Sequence, residues 1–560
     1  MPEPDTNDGK PYFLLPSFPG WINKRVVVVM FSMAIALAFW FFLDPPEPIR
    51  ISPETTIITE PIAEDGLPDF CQAMLDRQRK GVTPENNAAI EMWRAIGPAE
   101  IDAPYRDLLF REIGCETPSH EGVLEGLSAE KTKQRLAAWV ARQPQFANHH
   151  DTEVIADAVA KYSQRYMWLA FPSPLIRWVE ENRSPLGLLV KAGKKKRFYS
   201  PPPNFLSNPP SPVAKLLLPH AQMARAASRS LLVLSMRLVA EEEYESAFEV
   251  IGSSLMLGVH CSSGQTGIEQ VVGIAIRSES LRSMHAWFSV VDDQTLLSAA
   301  LNALSETPEL DEMKEVLVFG EAFVSVDSVL RAISPERQAL ELDLSDKEGA
   351  IEPNVLLSEM VKWFDRLGKV AAIEDRCVRR NKAVEFELEL EQLADDTGNL
   401  PNLFWSVLSR DRRSKTIADF YISLMMPMTS TLLATEDRCV AEQRMTLLAM
   451  ACRLHFLENG EYPESFAALD PEVLEEIPLD PFSNRPFHYE RRDDGFLIYS
   501  VGKNGRDDRA NDERGDFLDG EHAPVDWFGD RVKPEGVDDL VVRIPVPPLE
   551  LPFAKSAATE

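Results

Sequence analysis

The sequence predicts a mainly α-helical protein with a single amino-terminal transmembrane helix, a large irregular helical region and a small carboxy-terminal α+β module. Three observations lead to this fold class. Residues 26–43 are almost entirely apolar, hydrophobic residues recur at helical spacing between 65 and 434, and two strand-like runs joined by a tight turn lie within 435–530. Each pattern has the length or period of one kind of element.

Composition limits the class of protein. The chain has 560 residues, enough for several domains, and its 44% hydrophobic and 26% charged residues are those of a globular protein. Its 88 acidic residues exceed its 58 basic ones, which gives a formal charge of −30. This charge opposes wholesale binding to phosphate backbones, so we expect no nucleic-acid partner.

Six cysteines are scattered along the chain without a C-x-x-C pair. This spacing does not favour a zinc or iron–sulfur site. An even number permits disulfides in an oxidising compartment, but the low density favours buried free thiols.

Residues 1–25 form a polar tail, and residues 26–43 contain Ser32 as their one polar side chain. These 18 residues, at a rise of about 1.5 Å each, cross most of a hydrocarbon core about 30 Å thick. We therefore expect the lipid bilayer to be the partner of residues 26–43. A cleavable signal peptide is the alternative, because Ala36-Leu37-Ala38 offers a cleavage pattern.

The charges that flank the apolar stretch predict its orientation. Lys24 and Arg25 precede it, whereas Asp44 and Glu47 follow it. Because positive residues remain on the cytoplasmic side, we expect the tail of residues 1–25 in the cytoplasm and the bulk of the chain in the periplasm.

Residues 44–64 are a Pro-rich linker, and residues 65–434 are predicted to be helical. The clearest pattern lies in 222–262, where apolar residues at helical spacing flank an acidic turn at 241–243 and predict a helical hairpin. A solenoid-like stack would explain the recurrence of this pattern. No fixed period is found, however, so an irregular helical array is the safer prediction. A polar stretch near 343–353 is a candidate break.

Residues 194–197 read Lys-Lys-Lys-Arg and are followed by Pro-rich sequence. A solvated loop is the simpler interpretation, and a stiff docking segment is the alternative.

Residues 435–530 are predicted to form the α+β module. A helix over 435–459 ends at Asn459-Gly460, because glycine readily adopts the left-handed conformation at a helix end. Strand-like runs at 487–491 and 496–501 are joined by Asp493-Asp494-Gly495, which predicts an antiparallel hairpin. We expect residues 531–560 to be a tail.

The loop that follows the hairpin is strongly acidic. Residues 503–530 contain nine acidic and four basic residues. These carboxylates repel one another unless water or a cation lies between them, and hard oxygen ligands suit Ca²⁺. The sequence therefore predicts either a calcium site or a solvated acidic surface.

Several motifs in this part resemble the major pseudopilins of type II secretion, the protein G family. They are "RLHFLENGEYP", "IPLDPFSNRPFHY", "GFLIYSVGKNGRDD" and "NDERGDF", within residues 445–516. The resemblance implies a long helix on a small antiparallel sheet, with Ca²⁺ in the loop after the last long strand. It places side-chain ligands near Asn504 and at Asp512 or Asp516. The full set of expected ligands is Asn504, Asp507, Asp508, Asp512 and Asp516.

The chain also departs from that family. Residues 20–43 contain neither a prepilin-peptidase site nor a glutamate, and some 400 residues separate the apolar stretch from the module. We therefore expect a pseudopilin-like module rather than a pilus subunit. The whole chain looks like uncharacterised envelope proteins of planctomycete-type bacteria.

No catalytic motif is found, since G-x-S-x-G, H-E-x-x-H, Walker and G-x-G-x-x-G patterns are all missing. We expect a membrane-anchored structural or interaction protein with a protein partner in the envelope and without catalytic residues. The alternatives are an envelope hydrolase with a site in the helical region, and a divergent component of a type II secretion-like machine.

Overall fold

The structure is a computed structural model that describes residues 47–119, 121–144, 152–165, 171–310, 313–334, 337, 351–398, 409–426, 429–510 and 538–546. The predicted tail of residues 1–25 and the predicted transmembrane helix of residues 26–43 lie outside the described residues. So do most of the candidate break near 343–353 and residues 511–537 of the acidic loop and its flank.

The first part of the chain folds into short helices around two buried tryptophans, Trp93 and Trp178. Asn87 caps one of these helices, because its side chain accepts a hydrogen bond from Ala89 N at 3.1 Å. The helices are α1 (Pro53–Thr56), α2 (Phe70–Gln78), α3 (Ala88–Ile96), α4 (Ala103–Glu112), α5 (Glu130–Val140), α6 (Thr152–Tyr162), α7 (Ser173–Glu181) and α8 (Arg183–Gly193).

Three long helices, α9 (Pro219–Ala240), α10 (Tyr244–Ser262) and α11 (Gly267–Phe288), pack consecutively at the centre. The predicted hairpin at 222–262 is confirmed. Its turn at 241–243 separates α9 from α10, and Thr266 and Glu269 form a capping box at the start of α11. Helix α12 (Gln294–Ser305) follows, capped by Asp293.

The next helices surround a second core. Helix α13 (Met313–Glu315) continues into a π-helical segment, Val316–Glu321, and then into α14 (Ala322–Ile333). Helices α15 (Pro353–Ala371), α16 (Arg376–Gly398) and α17 (Arg410–Met425) pack with them and with α2. Most of the predicted helical region therefore is helical.

Helix α18 (Thr429–Asn459) connects this body to the carboxy-terminal sheet. It ends where the sequence predicts, and Gly460 has a φ of +79°. It packs against α11, α12 and α16, which are distant in sequence. Within the predicted helical region, α2 shares a core with α14, α15, α16 and α17, which are far from it in the chain. Because each repeat of a solenoid contacts only its neighbours, the solenoid-like interpretation is wrong. The predicted boundary at 434/435 also falls inside α18.

The sheet has three antiparallel strands in the order β1 (His488–Arg491), β2 (Phe496–Ser500) and β3 (Leu540–Ile544). The predicted hairpin of β1 and β2 is confirmed. Strand β3 pairs with β2 in the register Phe496↔Ile544. The prediction that 531–560 form a tail is therefore wrong for residues 540–544, which complete the sheet.

One core is shared by the central helices, α18 and the sheet. Trp287 on α11, Leu448 on α18 and Phe496 on β2 belong to the same cluster of buried apolar residues. Within the described residues, Arg410–Asn459 is one stretch with the length and composition of a membrane span, and 44% of its most apolar window is buried in the protein. Residues 439–452 of α18 lie in the core, which accounts for their apolar composition.

All six cysteines are free, and four of them are buried: Cys71, Cys261, Cys439 and Cys452. The preference for buried thiols over disulfides is confirmed for these four.

Candidate metal site in the acidic loop

The acidic loop begins where β2 ends, and a buried aspartate fixes that point. Asp480 is 1% exposed, and its carboxylate accepts hydrogen bonds from Phe482 N and Ser500 Oγ, both at 2.9 Å. Gly502 follows with a φ of +61°, and a Cβ on it would lie 2.1 Å from the carbonyl oxygen of Asp538. Glycine at this position therefore allows the end of β2 to lie against the segment that precedes β3.

Asn504 organises the loop through its backbone and its side chain. Its Nδ2 donates to Asp508 Oδ2 at 2.9 Å, and its Oδ1 accepts from Arg506 N at 2.6 Å. Its backbone N donates to Asp538 Oδ2 at 2.8 Å. Asn504 therefore holds carboxylates from two distant segments beside each other, and its own carbonyl oxygen is already a hydrogen-bond acceptor.

Asp507 and Asp508 are held in the same turn. Asp507 Oδ1 accepts from Arg509 N at 2.9 Å, and Asp508 Oδ2 accepts from Asp538 N at 3.1 Å. The pKa of Tyr499 is raised to about 12, chiefly by burial and also by the nearby carboxylate of Asp507. The turn therefore concentrates negative charge at the end of the sheet where β2 ends and β3 begins.

Asp539 is the most buried carboxylate of the group, at 0% exposure. Its Oδ2 accepts from Ala510 N at 2.8 Å, whereas its Oδ1 is buried without a hydrogen-bond partner among the described residues. The pKa of Asp539 is raised to about 7, chiefly by burial and also by the carboxylates of Asp508 and Asp507, against the backbone hydrogen bonds that lower it. A buried, charged carboxylate oxygen without a partner destabilises the folded state. Either a proton or a bound cation would remove this cost.

The backbone beside Asp539 is strained. Arg509 and Ala510 both have positive φ angles, 60° and 59°, although neither is glycine. Such a conformation costs about 1 kcal/mol or more for each residue and persists where the surroundings enforce it. The hydrogen bond from Ala510 N to Asp539 is one contact that holds this strained turn.

The structure brings together three of the five expected ligands, Asn504, Asp507 and Asp508. Asp512 and Asp516 lie outside the described residues. Sequence reasoning missed Asp538 and Asp539, which enter the site because β3 pairs with β2. The signal that could have found them is the Asp-Asp pair directly before the apolar run 540–544.

Among the described residues, no group of three or more His, Cys, Asp or Glu side chains could hold a metal ion as they stand. The donor chemistry nevertheless fits Ca²⁺, because the cluster offers hard carboxylate oxygens and one of them is buried without a partner. Carboxylate oxygens suit Ca²⁺ better than Zn²⁺ or iron, which favour nitrogen and sulfur ligands. His488 lies at the edge of the cluster, with its Nδ1 4.0 Å from Asp507 Oδ2.

Comparison of the chain with known protein families, with curated proteins and with solved structures finds no match. What the acidic loop binds is therefore inferred from its own geometry.

Proposed function

We propose that the protein is a single-pass envelope protein that acts as a structural or interaction component, with a Ca²⁺ ion bound in its acidic loop. The apolar stretch of residues 26–43 would anchor it, with the amino terminus in the cytoplasm and the helical body in the periplasm. The apolar run and its flanking charges support this topology.

Exposed apolar side chains support a protein partner. On α16, Val384 is 42% and Leu388 is 51% exposed, and on the neighbouring α17, Phe420 is 60% and Leu424 is 58% exposed. The two residues of each helix are four positions apart and therefore lie on one face of that helix, and exposed apolar faces are typical of protein-binding sites. We propose that these two helices contribute to the contact with an envelope partner.

The observation that carries the calcium proposal is Asp539. Its Oδ1 is buried without a hydrogen-bond partner in the described part of the chain, and the carboxylates of Asp508 and Asp507 are near enough to raise its pKa. Asp538 joins the same cluster, because its backbone N donates to Asp508 Oδ2 at 3.1 Å. Asp508, Asp538 and Asp539 would supply carboxylate oxygens, together with ligands from the rest of the acidic loop. The ion would neutralise charges that otherwise repel one another.

We also propose that helix α18 and the three-stranded sheet form a pseudopilin-like unit. A helix of 31 residues that packs on an antiparallel sheet supports this proposal, because the resemblance of residues 445–516 implies such an arrangement. The contacts of α18 with α11 and α12 support a structural role within this chain.

Thermal unfolding of the full-length protein in detergent tests the ion. Ca²⁺ at a hundredfold excess over its Kd should stabilise the folded state by about 2.7 kcal/mol, because it binds that state and not the unfolded one. We expect the melting temperature to rise by a few degrees with Ca²⁺ and to fall again with a chelator. An unchanged melting temperature in about 10 mM Ca²⁺ would refute the site, because this concentration is about tenfold above the dissociation constants of the weakest extracellular calcium sites.

Asp539→Asn makes the test specific. The amide keeps the shape of the side chain and removes its charge, so at pH 8 without Ca²⁺ this variant should be more stable than the wild type, and its melting temperature should not respond to Ca²⁺. Glu476→Gln removes one exposed charge from the same unit and should keep the full response. Equal responses of the two variants would mean that Asp539 does not bind the ion.

Reporter fusions test the topology separately. A fusion at residue 60 should be active as a periplasmic reporter and inactive as a cytoplasmic one, because the body follows the predicted anchor. The opposite pattern would overturn the topology and leave the calcium site untouched.

A further inference from the structure

A cavity of about 450 Å³ is lined by residues between 77 and 319, none of which belongs to the acidic loop. Its wall combines α2, the segment 196–200, the first turns of α9 and α11, the end of α10 and the π-helical segment Val316–Glu321. All these residues belong to the described part of the chain. A volume of this size is typical of pockets that hold a small molecule.

The cavity is lined by positive charge although the chain carries −30 overall. Five cationic residues line it, namely Arg77, Lys80, Lys196, Arg197 and Lys314, against the two carboxylates of Glu269 and Glu315. Lys80, Lys196 and Arg197 are exposed, and their side chains have no ion-pair partner among the described residues. An anion would therefore meet unneutralised cations at this mouth.

The two carboxylates of the wall are already engaged. Glu315 pairs with Arg77 at 2.5 Å, and Glu269 Oε1 accepts a hydrogen bond from His220 Nε2 at 2.8 Å. The other oxygen of Glu269 accepts hydrogen bonds from the backbone N and the hydroxyl of Thr266. These contacts reduce the repulsion that the carboxylates would exert on a bound anion.

Three residues of the wall each have one buried polar atom without a hydrogen-bond partner in the described residues: Gln78 Oε1, Gln265 Oε1 and His220 Nδ1. Both amide oxygens are acceptors, and His220 Nδ1 is the ring nitrogen that does not contact Glu269. Acceptors of this kind match a ligand with hydroxyl groups, because each hydroxyl can donate one hydrogen bond.

The shape of the wall depends on a close approach between two segments. A Cβ on Gly320 would lie 1.9 Å from the carbonyl oxygen of Gln265. Glycine therefore lets the π-helical segment pack against the loop that precedes α11, with Phe319 in the wall. π-helical turns are rare and are often found at functional sites.

The contacts of the basic run 194–197 show that its residues have different roles. The backbone of Arg197 pairs with the segment before α3, since Ala88 N donates to its carbonyl oxygen at 2.8 Å. Lys194 pairs with Glu249, and Lys195 Nζ donates to the carbonyl oxygen of Glu85 at 2.5 Å. The first two lysines are thus used within the protein, whereas Lys196 and Arg197 face the cavity.

We propose that this cavity binds a small hydroxylated anion, namely a sugar that carries a phosphate or sulfate group. The anionic group lies against Lys80, Lys196 and Arg197, and the sugar hydroxyls donate to the acceptors of the wall. Phosphate and sulfate groups both carry negative charge on oxygen atoms, so the cavity could hold either one. The titrations below distinguish a sugar phosphate from a sugar sulfate.

Isothermal titration calorimetry on the full-length protein in detergent tests the proposal. The probes are glucose 6-phosphate, glucose 6-sulfate, glucose and inorganic phosphate. At least one charged sugar should bind ten times more tightly than inorganic phosphate, and glucose should not bind. The tighter of the two charged sugars identifies the anionic group. Failure of both charged sugars to bind would overturn the proposal.

Two variants assign the contacts. The double substitution Lys196→Ser and Arg197→Ser should weaken binding of the charged sugar at least tenfold. Lys191→Ser with Lys215→Ser removes the same charge from exposed positions outside the cavity and should change affinity less than twofold. Equal losses in the two double variants would overturn the proposal, because binding would then depend on net charge alone.

Gln78→Leu tests the hydroxyl contacts. It removes one acceptor of the wall and keeps the charges, so affinity for the charged sugar should fall at least threefold while that for inorganic phosphate is unchanged. Loss of both affinities, or of neither, would contradict the role of this acceptor.

Discussion

At the scale of single residues, Asp480 is the side chain that joins the loop before the sheet to the end of β2. It is 1% exposed and accepts hydrogen bonds from Phe482 N and Ser500 Oγ. The sequence marks this residue only as part of a Pro-rich stretch, because no local pattern indicates which distant donors it meets.

Asp480→Ala should lower the free energy of unfolding by about 3 kcal/mol, because buried donors lose a charged acceptor. Urea denaturation followed by circular dichroism measures this change. Glu475→Ala, at an exposed position of the same loop, should change it by less than about 0.5 kcal/mol. Similar losses in both variants would mean that Asp480 has no special role.

A second buried residue, His260, predicts a dependence of stability on pH. Burial lowers the pKa of His260 from 6.5 to about 4, although the hydrogen bond from Nε2–H to the Lys195 carbonyl oxygen at 2.9 Å raises it. Between pH 4 and 6.5 the unfolded state therefore binds more protons than the folded state. The contribution to stability is fully present above pH 6.5 and is lost as the pH falls towards 4.

His260→Gln cannot titrate, so its stability should depend less on pH. Between pH 7 and pH 5 the wild type should lose about 2 kcal/mol more than this variant. Urea titrations at the two pH values provide the measurement, and His455→Gln, at a half-buried position, is the control. A wild type and a His260→Gln variant with the same pH profile would exclude a shifted histidine at this position.

At the scale of elements, α16 and α18 are joined by a buried network of charges. Asp437 accepts from Arg380 at 2.8 Å and from Arg376 at 3.0 Å, and Glu436 accepts from Arg376 and Arg379, both at 3.0 Å. Both carboxylates are 0% exposed. Neither helix alone predicts this contact, because the partners are about 60 residues apart.

Asp437→Asn should lower the free energy of unfolding by about 3 kcal/mol or more, because it leaves buried guanidinium groups without a matching charge. Asp365→Asn breaks the exposed pair with Lys369 and should cost less than about 0.5 kcal/mol. Chemical denaturation compares the two. Equal effects would show that the buried network is not stronger than a surface pair.

The turn between β1 and β2 is predicted correctly, but its glycine is needed for a reason that the local sequence does not show. The sequence predicts the turn from Asp493-Asp494-Gly495, and β1 and β2 do pair across it. Gly495, however, has no positive φ, and a Cβ on it would lie 1.8 Å from the carbonyl oxygen of Ile544. The glycine is required by the approach of β3, a contact that lies 49 residues further along the chain.

At the scale of the whole molecule, the carboxy-terminal unit is continuous with the helical body. Residues of α11, α18 and the sheet share one core. Strand β3 adds Leu540, Val542 and Ile544, which are 5%, 2% and 2% exposed. The segment that composition identified as a tail therefore contributes to the core.

A chain that ends at residue 530 should be strongly destabilised. Each of the three buried side chains of β3 contributes about 1.5–3 kcal/mol, so their loss approaches the total stability of many proteins. We expect this chain to melt at least about 10 °C below the wild type or to fail to accumulate. A chain that ends at residue 546 keeps β3 and should match the wild type in thermal unfolding. Equal stability of both truncated chains would contradict the role of β3.

The sequence by itself determined the helices of the body, the central hairpin, the end of α18 and the pairing of β1 with β2. Each of these depends on hydrophobic spacing or turn residues within a few positions, and such local preferences are readable in the chain. The predicted ligands Asn504, Asp507 and Asp508 likewise fall within one turn.

Only the tertiary structure decided which distant segments meet. It placed Asp538 and Asp539 beside the acidic loop, packed α18 against α11, and assembled a cationic cavity from segments between residues 77 and 319. The physical reason is that an amphipathic face specifies burial but not its partner. Partners are selected by packing and charge complementarity over the whole chain, which no local spacing records.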